Sequence, residues 1–152
     1  MSLQDWLDRK DLKPHKTSLR EIADLLEVVK RGLQDASVTA ISPDRRFATA
    51  YNAALQLATI VLYASGYRAT GKGHHWITIS VLPDIMGPAT QELADYLDNC
   101  RRKRHGVDYD RAYSLSTEDV EELLREVGSF REEVLKWLKQ NHPDLSGETG
   151  GD

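Results

Sequence analysis

Four positive side chains follow one another in a chain that is acidic overall. They are Arg101, Arg102, Lys103 and Arg104, with His105 directly after them, whereas the 152 residues carry a formal net charge of -4. A guanidinium group contacts two phosphate oxygens at once, and an imidazole titrates near neutral pH. These residue types therefore favour phosphate binding at the cluster 101–104, and His105 adds a group that could move a proton.

The same cluster also has a purely structural interpretation. It occupies what should be the last turn of a helix, where unpaired carbonyl groups favour cations, and Asp98, Asp108 or Asp110 could neutralise it. Four consecutive residues cover more than one turn, however, so they cannot all share one face of the helix. At least one of them must point toward the bundle or toward a second subunit, where an unpaired arginine is costly to bury.

A glycine-rich segment, GYRATGKGHHW, carries two further histidines, His74 and His75. Its glycine spacing is not that of a phosphate-binding loop and no strand precedes it, so we interpret it as a mobile turn between helices. Neighbouring residues on a helix point about 100° apart, and no acidic or cysteine partner lies at ligand spacing, so we expect no metal here. The pair is expected to be solvated or to form a minor wall of a cleft, and Trp76 to be a core-edge or interface aromatic.

Helical periodicity dominates the segments that must position these residues. Apolar residues recur at three- and four-residue steps in four stretches, at about 18–35, 42–65, 82–104 and 116–141, the third with a kink at its prolines. HWITISVLP alternates like a strand, but a lone strand cannot satisfy its backbone, so it is predicted to be helical. The predicted fold is all-α: an up-and-down four-helix bundle with a short extra helix or a kinked third helix.

Length and composition indicate one globular domain. We expect an N-terminal extension over 1–16, the bundle over 17–142 and a disordered tail over 143–152. The second predicted helix is apolar on nearly every side, but polar residues interrupt it, which favours a central bundle helix over a membrane span. The lone cysteine, Cys100, excludes an intramolecular disulfide and fits a reducing compartment, so we expect a cytoplasmic protein.

Several segments resemble HEPN domains, which are small four-helix bundles of bacteria and archaea. The runs RHGVDYD and SLSTEDVEELLREVGSFREEVLKWL look like the C-terminal half of these domains, and AYNAALQLATIVLYASGYR and GHHWITISVLP are similar to earlier parts. The resemblance spans about residues 40–142, while the first predicted helix fits in position alone. It implies the bundle fold and a homodimer in which two copies of a short motif meet across a cleft.

The family motif is an arginine, a polar residue, and a histidine four to six positions beyond the arginine. By this resemblance Arg104 is the motif arginine and His105 the polar residue, while Tyr109 stands where the histidine is expected. Arg104 would stabilise phosphorane oxygens, His105 could take a proton, and Tyr109 could orient a phosphate or hold the dimer seam. Because a tyrosine with a pKa of about 10 is a poor base near neutrality, the departure weakens the expectation of catalysis.

Two classes of function stay open at this point. Some family members cleave RNA without a metal, whereas others bind only nucleotides or partner proteins. The leading expectation is binding of RNA or a nucleotide at the basic cluster, with endoribonuclease activity in a toxin-antitoxin or stress-response system as its extension. The alternative is a catalytically inactive dimeric scaffold that docks a partner such as a nucleotidyltransferase. Neither function needs a cofactor, and DNA binding ranks last because no helix-turn-helix spacing is present.

Overall fold

Helices account for most of the chain that the structure, a computed structural model, describes. The description covers residues 2–109 and 115–147, without the side chains of 105–109. The helices are α1 (Leu3–Asp8), α2 (Leu19–Ala36), α3 (Pro43–Ala64), α4 (His74–Ser80), α5 (Leu82–Met86), α6 (Gln91–Tyr109) and α7 (Thr117–Asn141). The all-α class predicted from the sequence is confirmed. Beside the helices lie two 3₁₀ turns, Pro88–Thr90 and Pro143–Leu145, and strands β1 (Leu12–Pro14) and β2 (Tyr67–Ala69).

The starts of the long helices follow from their capping residues. The Ser18 hydroxyl accepts a hydrogen bond from the backbone N–H of Glu21, and α2 begins at Leu19, directly after Ser18. At α7 the Ser116 side chain and the Asp119 carboxylate each accept from the other residue's backbone N–H. Such reciprocal bonds satisfy N–H groups that the first turn of a helix leaves unpaired. The predicted helix starts at these positions are confirmed.

The apolar helix α3 is the centre of the fold. It packs against α2 on one side and α7 on another, with α6 and α4 covering further faces. It is the one helix in the described part of the chain that is long and apolar enough to cross a membrane, yet 67% of its most apolar window is buried inside the protein. Its interior position agrees with the prediction of a central bundle helix.

The third predicted helix is broken into separate pieces. After α5, Gly87 adopts φ 108°, a backbone conformation that favours glycine, and the 3₁₀ turn at Pro88 leads into α6. The predicted end of this helix near Arg104 was wrong, since α6 continues to Tyr109. Gly106 does not stop the helix, because a glycine inside a helix costs only about 1 kcal/mol when neighbouring turns continue. The basic cluster therefore lies before the last turn of α6, and the helix dipole contributes less to it than the sequence suggested.

The N-terminal segment is attached to the bundle by its own small core. Trp6 and Leu12 pack there with Leu62, Ile77 and Val81 of helices α3 and α4 and the turn that follows. The sequence did not predict the ribbon in which β1 pairs antiparallel with β2. The 3₁₀ turn that opens the expected tail packs Leu145 against the main core, and residues 148–152 lie outside the described residues.

Candidate phosphate-binding cleft

One face of α6 meets the start of α4. Arg101 and Arg104 are three residues apart and therefore neighbours on the helix surface. Together with four residues of the glycine-rich segment they line an open cleft of about 230 Å³, which we call the basic cleft: Gly73, His74, His75, Trp76, Arg101 and Arg104. The fold thus brings together two segments that the sequence analysis treated separately.

The wall formed by α4 owes its shape to glycine backbone conformations. Gly71 and Gly73 have φ angles of 77° and 81°, in the left-handed region that glycine adopts without strain, and α4 begins directly after Gly73. The Nδ1 atom of His74 lies 3.2 Å from the Gly71 carbonyl oxygen, and the rings of His74 and His75 meet edge to face at 4.3 Å. Both imidazoles are therefore held at the mouth of the basic cleft.

Trp76 continues this wall and links it to the N-terminal segment. Its ring meets that of Trp6 in a T-shaped contact with centroids 5.7 Å apart. Trp6 is 3% exposed, and its indole N–H donates to Asp84 at 2.8 Å, whereas Trp76 is 38% exposed. The buried tryptophan thus supports an exposed one beside the two arginines. Trp76 has the core-edge position expected from the sequence.

Asp98 neutralises part of the basic cluster. The Nε atom of Arg101 donates to Asp98 Oδ1 at 2.9 Å, and an Nη atom of Arg102 lies 3.3 Å from Asp98 Oδ2. Arg102 also donates to the Asn99 side chain at 2.7 Å. One carboxylate shared by two guanidinium groups leaves positive charge on this turn, and Arg101 is among the residues that line the cleft. Arg102 does not line the cleft.

The last two basic residues of the cluster differ in their partners. Lys103 points away from the basic cleft, with its Nζ 3.8 Å from Asp119 Oδ1 of α7. Arg104 makes no ion pair with any residue whose side chain the structure describes, and its guanidinium carbon lies 5.9 Å from the centroid of the Tyr51 ring. The four adjacent cations therefore do not share one surface: Arg104 faces the basic cleft, whereas Lys103 faces α7. Arg104 lies above the aromatic ring of Tyr51.

Tyr51 of α3 lies beneath the arginines. It is 1% exposed, and its hydroxyl oxygen is buried without a hydrogen-bond partner in the described structure. Burial raises the pKa of Tyr51 to about 12, against the opposing effect of Arg101 and Arg104. A buried hydroxyl that lacks a partner costs about 1–3 kcal/mol. Among the described residues, the site therefore carries an arginine without a carboxylate partner and a buried hydroxyl without a hydrogen-bond partner.

His75 shows the electrostatic effect of the two arginines most directly. Partial desolvation at the wall lowers the pKa of His75, and electrostatic interactions with His74, Arg104 and Arg101 lower it further. The two guanidinium groups act on the same volume that His75 borders. These surroundings disfavour the protonated form of His75, and the two guanidinium groups are suited to hold an anion.

The residues predicted as a site fall into separate groups in the structure. Arg101 and Arg104 line the basic cleft, whereas Arg102 and Lys103 are bound elsewhere. His105 and Tyr109 belong to the backbone of α6, but their side chains lie outside the described residues, as do those of Asp108 and Asp110.

Four side chains at the site were not among the predicted catalytic or phosphate-binding residues. They are His74, His75 and Trp76 of the cleft wall and the underlying Tyr51, and for the two histidines a minor wall of a cleft was one of the two expectations. The segment GKGHHW drew attention to the first three, but Tyr51 gave no signal because an aromatic residue on a buried helix is ordinarily a core residue. Among the side chains that the structure describes, no group of three or more His, Cys, Asp or Glu is placed to hold a metal ion.

A family model described as SAV_6107-like HEPN matches residues 37–135. The match covers more than half of the chain and includes every residue that lines the basic cleft. The chain therefore belongs to the HEPN family, which confirms the resemblance seen in the sequence. Helix α2 lies before the matched range. This agrees with the sequence comparison, in which the first predicted helix resembled the family in its position but not in its residues. No curated protein and no solved structure matches the chain.

Proposed function

We propose that this HEPN protein binds the phosphate groups of RNA or of a nucleotide in the basic cleft. The observation that carries the proposal is the state of Arg104: it lines the cleft, lies over Tyr51 and has no carboxylate partner among the described side chains. An exposed anion would supply the missing partner, and a guanidinium fork binds phosphate through two parallel hydrogen bonds. Membership of the HEPN family supports a function related to nucleotides or RNA.

The other residues of the basic cleft suit a nucleotide better than a simple inorganic anion. Arg101 lies one turn from Arg104, so the two positive groups can bind two consecutive phosphates. Trp76 offers an exposed ring on the opposite wall, and base stacking on such a ring contributes about 1–3 kcal/mol. A single-stranded RNA, whose bases are free to stack, matches this combination.

The proposal extends to assembly and cellular role. We infer a homodimer formed through a face that includes α6, a cytoplasmic location, and work in a toxin-antitoxin or stress-response system. Family membership supports this extension. A dimer would double the number of phosphate sites and lengthen the RNA that one particle can bind. The scaffold that docks a nucleotidyltransferase is the competing proposal, and it requires no phosphate ligand.

The test measures the affinity of the purified protein for a fluorescein-labelled single-stranded RNA by anisotropy. Arg104→Ala and Arg102→Ala form a matched pair, because each removes one charge from α6 and only Arg104 lines the basic cleft. We expect Arg104→Ala to weaken binding about 10-fold or more, since hydrogen bonds to charged groups contribute about 1.5–3 kcal/mol. Arg102→Ala should change affinity by less than about 3-fold. Equal losses in both variants, or no binding of RNA and nucleotides by the wild type, would support the scaffold instead.

A further inference from the structure

The ribbon of β1 and β2 carries two positive side chains that face each other. Lys13 and Arg68 are partners in its register, and both are exposed. Directly opposite residues of an antiparallel pair point to the same face, so two like charges stand side by side there. Like charges in that arrangement destabilise a strand pair. An anion bound above both side chains would remove this repulsion.

Two more exposed lysines lie where the ribbon meets the wall of the basic cleft. Lys72 directly precedes Gly73, which lines the cleft. Lys10 lies at the same end of the ribbon, where its carbonyl oxygen accepts a hydrogen bond from the Thr70 hydroxyl at 3.1 Å. The positive charge of the basic cleft therefore extends onto the N-terminal segment. We call the four residues the ribbon cations: Lys10, Lys13, Arg68 and Lys72.

The backbone at Lys10 favours a smaller residue. Its φ is 62°, in the left-handed region, and it follows the end of α1. Its N–H donates to the Leu7 carbonyl oxygen at 3.0 Å, and the N–H of Asp11 donates to that of Trp6 at 3.1 Å. This pattern of helix termination ordinarily has glycine at the left-handed position, because a side chain is unfavourable there. Stability alone would favour glycine, whereas a role for its charge accounts for a lysine.

The acidic residues of the N-terminal segment do not neutralise the ribbon cations. Asp5 caps α1, and Asp8 accepts a hydrogen bond from the Gln4 side chain. Asp11 forms an ion pair with Arg9 at 3.2 Å. Among the side chains that the structure describes, no carboxylate lies within ion-pair distance of a ribbon cation. The ribbon therefore presents its positive charge to solvent.

We propose that the ribbon cations are a second phosphate-contact surface, which binds the part of a single-stranded RNA that extends beyond the basic cleft. The inference rests on the proposed function, since the same RNA occupies the cleft. The cleft volume of about 230 Å³ is below the about 300 Å³ at which pockets enclose a drug-sized ligand, so a longer RNA must leave it. Lys10 and Lys13 precede the range that the family model matches, so half of this surface belongs to the N-terminal segment.

The structure favours RNA over a membrane surface as the anionic partner. Trp76 lines the cleft and contacts Trp6, so the cleft and the N-terminal segment share one wall. Binding at a membrane surface requires apolar side chains that face outward beside the cations. Leu12, the strand neighbour of Lys13, is instead 3% exposed and packs into the core. Phosphates that continue from the cleft match this arrangement.

The experiment measures the affinity of the full chain for a three-nucleotide and a twelve-nucleotide single-stranded RNA by fluorescence anisotropy. Lys13→Ala/Arg68→Ala should weaken binding of the longer RNA about 10-fold or more at about 0.1 M salt, because two phosphate contacts are lost. It should leave the affinity for the shorter RNA within about 3-fold. Lys30→Ala/Arg31→Ala is the matched control, since it removes one lysine and one arginine from exposed positions of α2. We expect it to change either affinity by less than about 3-fold.

A second variant separates charge from structure. Lys10→Gly should keep or raise the urea midpoint, because glycine adopts the left-handed conformation without strain. It should nevertheless weaken binding of the twelve-nucleotide RNA about 3-fold or more. A purely structural role for Lys10 does not explain a loss of affinity in a variant of equal or greater stability. Unchanged affinity in Lys10→Gly would remove this residue from the surface.

The outcomes distinguish this inference from the proposed function. Binding of both RNAs that depends on Arg104 but not on Lys13 and Arg68 overturns the inference and leaves the proposed function standing. Equal losses for the two RNAs in Lys13→Ala/Arg68→Ala would make the ribbon a support of the cleft and also overturn it. Binding of phosphatidylserine vesicles that this variant loses, with RNA affinity retained, would assign the surface to membranes instead. A wild type that binds neither RNA overturns both proposals.

Discussion

Helix α6 borders two depressions of opposite charge. The basic cleft lies toward its C-terminal half, and the other depression lies near its start, between the helix and α7. We call the second the acidic groove; its volume is about 330 Å³ and its lining includes Glu92, Tyr96, Glu126, Phe130 and Glu133. Charge is therefore separated along one helix, so a chain with a net charge of -4 can still present a positive surface to an anion.

The two depressions also differ in the buried groups that lie beneath them. The acidic groove has Phe130 as its floor, which is 1% exposed and part of the main core. Near it, burial raises the pKa of the Cys100 thiol to about 11, so that side chain is a neutral packing group. The basic cleft instead leaves an arginine without a carboxylate partner and a buried hydroxyl without a hydrogen bond, among the described residues.

The largest expected effect on stability belongs to the floor of the acidic groove. Phe130→Ala should lower the free energy of unfolding by about 3–5 kcal/mol, because it removes a buried aromatic ring and leaves a cavity. Arg104→Ala should change the same quantity by less than about 1 kcal/mol, since its side chain lies at the surface. Urea titration followed by circular dichroism measures both. A comparable loss in Arg104→Ala would mean that the basic cleft is a structural element.

Tyr51→Phe should stabilise the protein by about 1 kcal/mol. The substitution removes a buried hydroxyl that has no partner in the described structure and keeps the ring beneath Arg104. The shift of the urea midpoint measures it. Tyr63→Phe is a suitable control, because Tyr63 is only partly buried and should give a smaller change. A destabilised Tyr51→Phe variant would show that the hydroxyl has a partner in solution.

The smallest effect is expected in the acidic groove. Glu126→Gln and Glu133→Gln should leave the affinity for single-stranded RNA within about 3-fold of the wild type, because both charges lie at exposed positions and salt screens them. A slight gain in affinity at low salt would agree with repulsion of RNA by this surface. A marked loss of affinity would mean that the RNA binds at the acidic groove and not at the basic cleft.

Much of the fold could be predicted from local signals. Ser116 and Asp119 identified the start of α7. HWITISVLP was correctly predicted to be helical because no partner strand was recognised for it. The ribbon of β1 and β2 was missed because three-residue strands carry too little periodicity to detect. The end of α6 was missed because Gly106 was followed by helical residues that continue the turn.

The candidate site was less accessible from sequence. The three-residue spacing of Arg101 and Arg104 predicts that they share a face, but only tertiary packing decides which surface that face borders. His75 and Trp76 reach the arginines through a turn built on glycines, whose direction periodicity cannot supply. Tyr51 became a site residue only when the side chain above it was known.

The salt dependence of RNA affinity tests the central claim most directly, that the basic cleft binds consecutive phosphates. For single strands the logarithm of the binding constant falls with the logarithm of salt concentration by about 0.7 for each phosphate neutralised. We predict that Arg101→Ala/Arg104→Ala reduces this slope by about 1.4, whereas Arg102→Ala/Lys103→Ala, with the same loss of charge, reduces it by less than half as much. Equal slopes for both double variants would contradict the account.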